Sequence, residues 1–291
     1  MTRYQARLLP DGHRLHLNDG PIDLVIEATG EAAAVQAAYH AAETRFATIL
    51  DELCNELSLL RQATAQEPKG ITAQRMWRAT LPFSQDRFIT PMAAVAGSVA
   101  EEILAAMTEA TDLERAYVNN GGDIALHLAD GASFRIGLID RPDQPSLFGY
   151  ADVGHENPVR GIATSGWRGR SFSLGIADAV TVLAKSASSA DAAATIIAND
   201  VDLPRHPAIT RQRAAEIQPD NDLGHREVTR EVGALWEDEI DRALRRGCRT
   251  AEKLVAQGLV AAAALHLKGE TRIVGDHRAG QDHGARIAMH A

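Results

Sequence analysis

The chain has 291 residues, 45% of them apolar, 24% charged and 4% aromatic. This balance excludes a disordered chain and predicts a core built mainly from Ala, Val, Ile and Leu. Lys and Arg number 30 against 39 Asp and Glu, a formal net charge of −9 that disfavours nucleic acid as a partner.

Residues 15–28 read as a hairpin, with Asn18-Asp19-Gly20 supplying the turn. A long helix is predicted over 31–60, where Phe46, Ile49, Leu50, Leu53, Leu57 and Leu60 recur at three- and four-residue steps. Cys54 is placed on its apolar side and expected to be buried. Pro68-Lys69-Gly70 closes that unit. A second helix is predicted over 92–114, its Ala- and Gly-rich start allowing close approach of a neighbour.

Strands follow at 116–119, 123–128, 134–140, 161–165 and 177–184, and Ala129-Asp130-Gly131 reads as a hairpin turn. A small-residue helix is predicted over 189–199, capped by Ser188 or Ser189. Residues 202–222, with three prolines, read as an irregular excursion. Helices are predicted at 227–246 and 250–257, and a hairpin at 262–274.

Arg242, Arg245, Arg246 and Arg249 alternate with acids, which reads as a solvated, ion-paired face. The mixture of helices with antiparallel hairpins predicts an α+β fold, one domain over 1–275 followed by a loose tail over 276–291. His277, His283 and His290, six and seven apart in that Gly-rich tail, are weak evidence for a metal site. Neither an apolar leader nor a membrane-length apolar window is present, so a cytoplasmic protein is expected. The two Ala-rich helices would also suit a homo-oligomer interface.

Three segments offer chemistry. Asn119-Asn120-Gly121-Gly122-Asp123 ends a strand with paired glycines, which either let backbone amides approach a ligand or make a tight turn. Thr164-Ser165-Gly166, with Arg168 and Arg170 just after, forms either a phosphate cradle or an ordinary polar loop. No known catalytic spacing marks Ser165 as a nucleophile. Asp191 and Thr195 lie four apart on a predicted helix and so share a face. Their hard oxygens suit Mg²⁺ completed by a substrate phosphate; equally, they suit a first-turn acid and a hydroxyl bonded to its own turn.

The order of these segments, with Val180-Thr181-Val182 between the last two, resembles the ApbE-like superfamily of FAD:protein FMN transferases over residues 91–201. It is most similar to that superfamily's uncharacterised cytosolic branch. The resemblance implies FAD or FMN as cofactor and Mg²⁺ held by Asp191 and Thr195. It places Gly121, Gly122 and Asp123, together with Thr164, Ser165, Gly166 and Arg168, around a phosphate-bearing ligand. An acceptor protein is the implied partner.

Two positions depart from the family pattern. The motif Gly-Ala-Ile-Ala-Lys-Gly corresponds to residues 92–97, where Ala96 replaces the lysine. The family's histidine falls in the stretch 172–176, at or beside Ser173. A serine cannot replace a general base unaided, so His155 or His127 would have to supply one. No catalytic residue is assigned from the sequence. The implied alternative is a non-catalytic accessory or binding protein in a metabolic pathway such as sulfur assimilation.

Overall fold

The computed structural model describes residues 3–63, 66–139, 147–275 and 286–289. In chain order it contains β1 (Gln5–Leu8), β2 (Leu15–Asp19), β3 (Ile22–Thr29), α1 (Ala32–Asn55), α2 (Leu57–Leu60), α3 (Ile71–Thr80), α4 (Val95–Ala110), β4 (Arg115–Asn120) and β5 (Asp123–Leu128). Then come β6 (Ser133–Ile139), β7 (Leu147–Gly154), β8 (Gly161–Ser165), β9 (Ala179–Ala184), α5 (Ala187–Asp200), β10 (Ile209–Arg213) and α6 (Ala214–Ile217). The last elements are β11 (Glu227–Val232), α7 (Glu237–Ala256), β12 (Ala262–Leu267), β13 (Glu270–Gly275) and β14 (Arg286–Met289). Antiparallel sheets packed with helices make this an α+β fold. None of the described helices is long and apolar enough to cross a membrane.

The chain separates into two compact units, where the sequence treated residues 1–275 as one domain. The first comprises Met1–Ser133, Gly154–Ala163 and Lys185–Asp191. Its strands follow the order β1-β2-β3-β4-β5-β8, with antiparallel registers such as Leu24↔Asn120, Ile26↔Val118 and Ile124↔Ile162. Alternation along β2 and β3 buries Leu15, Leu17, Ile22, Leu24 and Ile26 on one face. That face joins Ala38, Ala42, Phe46, Ile49 and Leu53 of α1 and Val99, Ile103 and Met107 of α4 in one core. Each large aliphatic side chain buried there contributes about 1.5–3 kcal/mol. Cys54 turns away from the α1 stripe and is exposed, contrary to expectation. It follows Leu53 by about 100° of helix rotation.

Helix α3 was not anticipated. Its buried side, Thr72, Ala73, Met76, Ala79 and Thr80, is helical in period but weak in hydrophobicity. Buried Glu102 of α4 is balanced by Arg45 Nε at 2.7 Å and Arg75 Nε at 3.1 Å. Nearby on α4, Ser98 is fully buried, and its hydroxyl has no hydrogen-bond partner among the described residues. Ser98→Ala removes that desolvated hydroxyl and raises stability by about 1 kcal/mol. A denaturant midpoint that falls instead would show the hydroxyl to be engaged.

The second unit comprises Phe134–Val153, Thr164–Ala184 and Ala192–Ala291. Strands β9, β12 and β13 are neighbours in that order, with Val182↔Ala263 and Ala263↔Val274 in register. The β12–β13 hairpin turns through Lys268 and Gly269, both at positive φ. Separately, β6, β7 and β14 form a three-stranded sheet in the order β14-β7-β6. Residues 129–131 do turn, with Gly131 at φ +77°, but β6 pairs with β7 rather than β5, so the expected hairpin is absent. Residues 286–289, expected within a loose tail, form β14 against β7. His277, His283 and His290 lie outside the described residues.

Two further expectations are corrected in this unit. Residues 209–213, expected to be irregular, form β10 and pair with β11 at 227–232, a stretch expected to be helical. The β-branched Val228, Thr229 and Val232 are the buried residues of β11. Helix α7 starts later, where Glu239 Oε2 accepts the Trp236 N–H at 2.8 Å. It then runs unbroken through Gly247, where a Cβ would lie 2.3 Å from Val201 Cγ2 and 2.7 Å from Leu265 Cδ2.

Candidate functional site

In the first unit the start of α4, the β4–β5 turn and the first turn of α5 meet. Ser186 caps α5: its hydroxyl accepts the Ser189 N–H at 3.2 Å and its carbonyl the Ala190 N–H at 3.0 Å. The cap was expected at Ser188 or Ser189, but Ser188 lies inside the helix and gives its N–H to Glu101 Oε1 at 2.6 Å. No side chain from its own end caps α4. Asp191 does so from α5, accepting the Gly97 N–H at 3.0 Å and also that of Ala96. This satisfies two of the amides that a helix start leaves open and sets a carboxylate at its positive end.

Close backbone approach makes this junction. A Cβ on Gly97 would fall 2.3 Å from the Ala187 carbonyl oxygen, and one on Gly161 would fall 2.0 Å from the Ser186 carbonyl carbon. Asn120 Nδ2 donates to the Ala96 carbonyl at 3.2 Å, tying the end of β4 to α4. Gly121 and Gly122 then form the β4–β5 turn at φ +66° and +112°. The Gly122 N–H is held by Asn119 Oδ1 at 2.8 Å, and the space a Cβ would occupy there is open. The pair is thus a tight turn with one side clear.

Electrostatics converge on Asp191. Loss of water around its carboxyl pushes its pKa well above the ordinary carboxylate range. Repulsion from Asp123 and Glu101 pushes the same way, against the two amides. No ion pair to a cationic side chain offsets it among the described residues. Glu101 was not singled out from sequence, although its spacing four residues after Gly97 places both on one side of α4. Thr195 is one turn further along α5, so it shares the Asp191 face as expected. Among the described residues, no group of three His, Cys, Asp or Glu side chains is placed to hold a metal ion. A cation bound by Asp191 would therefore take most of its ligands from hydroxyls, water and a bound phosphate, which suits Mg²⁺.

The Thr-Ser-Gly segment belongs to the second unit. Thr164 and Thr181 share a hydroxyl hydrogen bond of 2.9 Å. A Cβ on Gly166 would lie 2.5 Å from the Asp178 carbonyl oxygen. Buried Asp178 accepts Trp167 Nε1 at 3.1 Å, Arg168 Nε at 2.7 Å and the Lys268 N–H at 2.6 Å. Arg168 also stacks on the Trp167 ring at 4.4 Å. Its guanidinium is engaged in holding the loop, while Arg170 is exposed. Ser165 is half-buried at the end of β8.

The candidate bases are occupied elsewhere. His127 Nε2 lies 3.0 Å from the Leu113 carbonyl, to which it donates, and His155 Nε2 lies 3.1 Å from exposed Asp130. Ser173 is buried: its hydroxyl accepts the Gly175 N–H at 3.2 Å and donates to Asn199 Oδ1 at 3.3 Å.

A family model described as AbpE bacteria matches residues 6–273. The chain belongs to this family. The ApbE-like resemblance seen in residues 91–201 therefore extends over most of the sequence. A UPF0280 protein of Methanopyrus kandleri is 40% identical over 148 residues, 51% of this chain and 56% of that protein. One from Methanococcus vannielii is 40% identical over 119 residues, 40% of this chain and 47% of that protein. The chain spans about half the length of these curated relatives. Among solved structures, it is similar to the apo flavinyl transferase ApbE of Pseudomonas stutzeri, at 10% identity, 93% of each chain and a TM-score of 0.41. The flavin transferase ApbE from Vibrio cholerae matches at 12% identity, 93% of this chain and 97% of that one, with a TM-score of 0.42.

Proposed function

We propose that this chain binds a phosphate-bearing ligand of the flavin-nucleotide class, FAD or FMN, together with Mg²⁺, around Asp191. The observation that carries this reading is the buried Asp191 carboxyl, which feels the charges of Asp123 and Glu101 and forms no ion pair of its own among the described residues. A divalent cation stabilises the ionised form that these surroundings disfavour. Membership of the AbpE family and the motif resemblance supply the flavin. The Gly121–Gly122 turn, with open space at Gly122, offers backbone to an approaching nucleotide.

When bound, Mg²⁺ supplies charge neutralisation at a phosphate oxygen. Asp191 holds it, and Thr195 offers a hydroxyl on the same helix face. Asp123 adds a second carboxylate. Transfer of the nucleotide to a protein hydroxyl would also need a general base. Ala96 has no titratable group, and the Ser173 hydroxyl is engaged inside the fold. These two residues favour binding without transfer, the role of an accessory or flavin-carrying protein.

Fluorescence titration with FAD, with and without Mg²⁺, tests the reading on wild type, Asp191→Ala and Asp191→Asn. Quenching that requires Mg²⁺ and weakens at least about tenfold in both variants is expected. Binding indifferent to Mg²⁺ and to both substitutions would sink it.

A further inference from the structure

Helix α7 carries Arg242, Arg245, Arg246 and Arg249 at i, i+3, i+4 and i+7, hence on one face. With Asp202 and His206, from the connection between α5 and β10, they line a cavity of about 370 Å³. That volume falls within the ~300–1,000 Å³ of small-molecule sites.

The acids nearest this face are bonded mainly to other groups. Asp241 pairs with Arg245 at 2.6 Å. Glu239 is taken by the Trp236 N–H and by His206 Nε2 at 2.8 Å. Asp202 is bonded to Arg211. Arg242, Arg246 and Arg249 form no ion pair among the described residues, although Glu239 feels the charge of Arg242 and Asp202 that of Arg246 at longer range. The solvated, ion-paired face expected from the sequence is thus correct for one arginine of the four.

His206 completes the wall. Its Nδ1 accepts the Ala208 N–H at 3.3 Å, and its Nε2 lies 2.8 Å from Glu239 Oε1. Beside it Arg205 holds φ +59°, in the left-handed region that a non-glycine residue seldom adopts. Backbone held this way clusters at binding sites.

We propose that this cavity binds a compact anion with two adjacent phosphate groups, the pyrophosphate class, free or as part of a nucleoside diphosphate. Three guanidiniums without an ion pair among the described residues match the charge of two phosphates better than that of one, since a phosphate group carries about −1.5 to −2. Guanidinium forks suit phosphate oxygens through paired N–H donors. A nucleic-acid strand is disfavoured by the confined volume and by the net charge of −9. All these residues belong to the second unit, and none takes part in the Asp191 site.

Isothermal titration of the full chain with inorganic pyrophosphate, ADP, orthophosphate and sulfate tests the assignment. Pyrophosphate is expected to bind at least about tenfold more tightly than orthophosphate or sulfate, with affinity falling as salt rises from about 50 to about 200 mM. Arg246→Gln should weaken it about tenfold, and the triple variant R242Q/R246Q/R249Q should abolish measurable binding. Should the triple variant melt early, R242Q/R249Q decides, because both side chains are exposed. Asp191→Ala should leave pyrophosphate affinity unchanged, which separates this site from the proposed flavin site. ADP binding as tightly as pyrophosphate assigns a nucleotide source; ADP failing to bind assigns the free anion. The assignment falls if pyrophosphate does not bind, if sulfate binds equally well, or if the arginine variants bind as wild type does. An oligonucleotide retained through these arginines without pyrophosphate binding overturns it as well.

Discussion

Gly97→Ala is expected to lower stability by about 3 kcal/mol, the upper end for overpacking, and Tm by roughly 6–12 °C. Alanine normally gains up to about 1 kcal/mol over glycine inside a helix. Here the new methyl would lie 2.3 Å from the Ala187 carbonyl oxygen, 2.5 Å from its carbonyl carbon and 2.8 Å from the Ser188 nitrogen. All three are backbone atoms of the first turn of α5, so no rotamer change relieves the clash and the propensity gain is overwhelmed. Moving that turn also pulls Asp191 from the Gly97 N–H, so Mg²⁺-dependent flavin binding should weaken in parallel. Gly122→Ala is the control: it meets no atom within 4 Å and pays only for its φ of +112°, about 1–2 kcal/mol. Thermal melting of the two variants decides. A Gly97→Ala protein melting within a degree of wild type would show that α4 and α5 are not in close contact.

Elements with strong periodicity were legible in the sequence. The β2–β3 hairpin announces itself by alternation and Gly20, and α1 by its stripe from Phe46 to Leu53. Helix α3 escaped because Thr and Ala supply most of its buried face. The start of α7 was misplaced because the charges after Glu227 carry a helical rhythm back into β11. The structure marks the true start by the bond between Trp236 and Glu239. Two helices were expected over 227–246 and 250–257, yet α7 runs on through Gly247, where the missing side chain lets it approach Val201 and Leu265. At the candidate site, four-residue spacing set Asp191 and Thr195 on one face of a helix, and only the family resemblance pointed from there to a metal. The bond from Gly97 to Asp191 joins residues 94 apart in sequence and becomes visible only when the fold is formed. Three neighbouring serines blurred the register of the α5 cap, which proved to be Ser186. For the arginines of α7, the count of nearby acids suggested neutrality; in the structure, Glu239 and Asp202 are spent on His206 and Arg211.

Asp191→Asn is expected to separate the two roles of this carboxylate. Asparagine keeps an oxygen to accept the Gly97 N–H but carries no charge, whereas alanine loses the cap and about 1 kcal/mol with it. Burial and the neighbouring Asp123 and Glu101 make the folded protein hold the Asp191 proton more tightly than the unfolded chain does. The folded state therefore binds the extra proton above the ordinary aspartate range, and its stability falls as pH rises through that window. The wild-type stability relative to Asp191→Asn should accordingly decline from about pH 4 toward neutrality, since the amide does not titrate. Mg²⁺ should reverse the decline in wild type by replacing the proton, with proton release on binding. At a hundredfold excess over its Kd, the metal would restore about 2.7 kcal/mol, and nothing in the Asn variant. Denaturant midpoints across pH, with and without Mg²⁺, measure both effects. A wild-type advantage that grows with pH would show that the ionised carboxylate stabilises the fold by itself, as an anion at the α4 N-terminus. An equal Mg²⁺ response in both proteins would place the cation elsewhere.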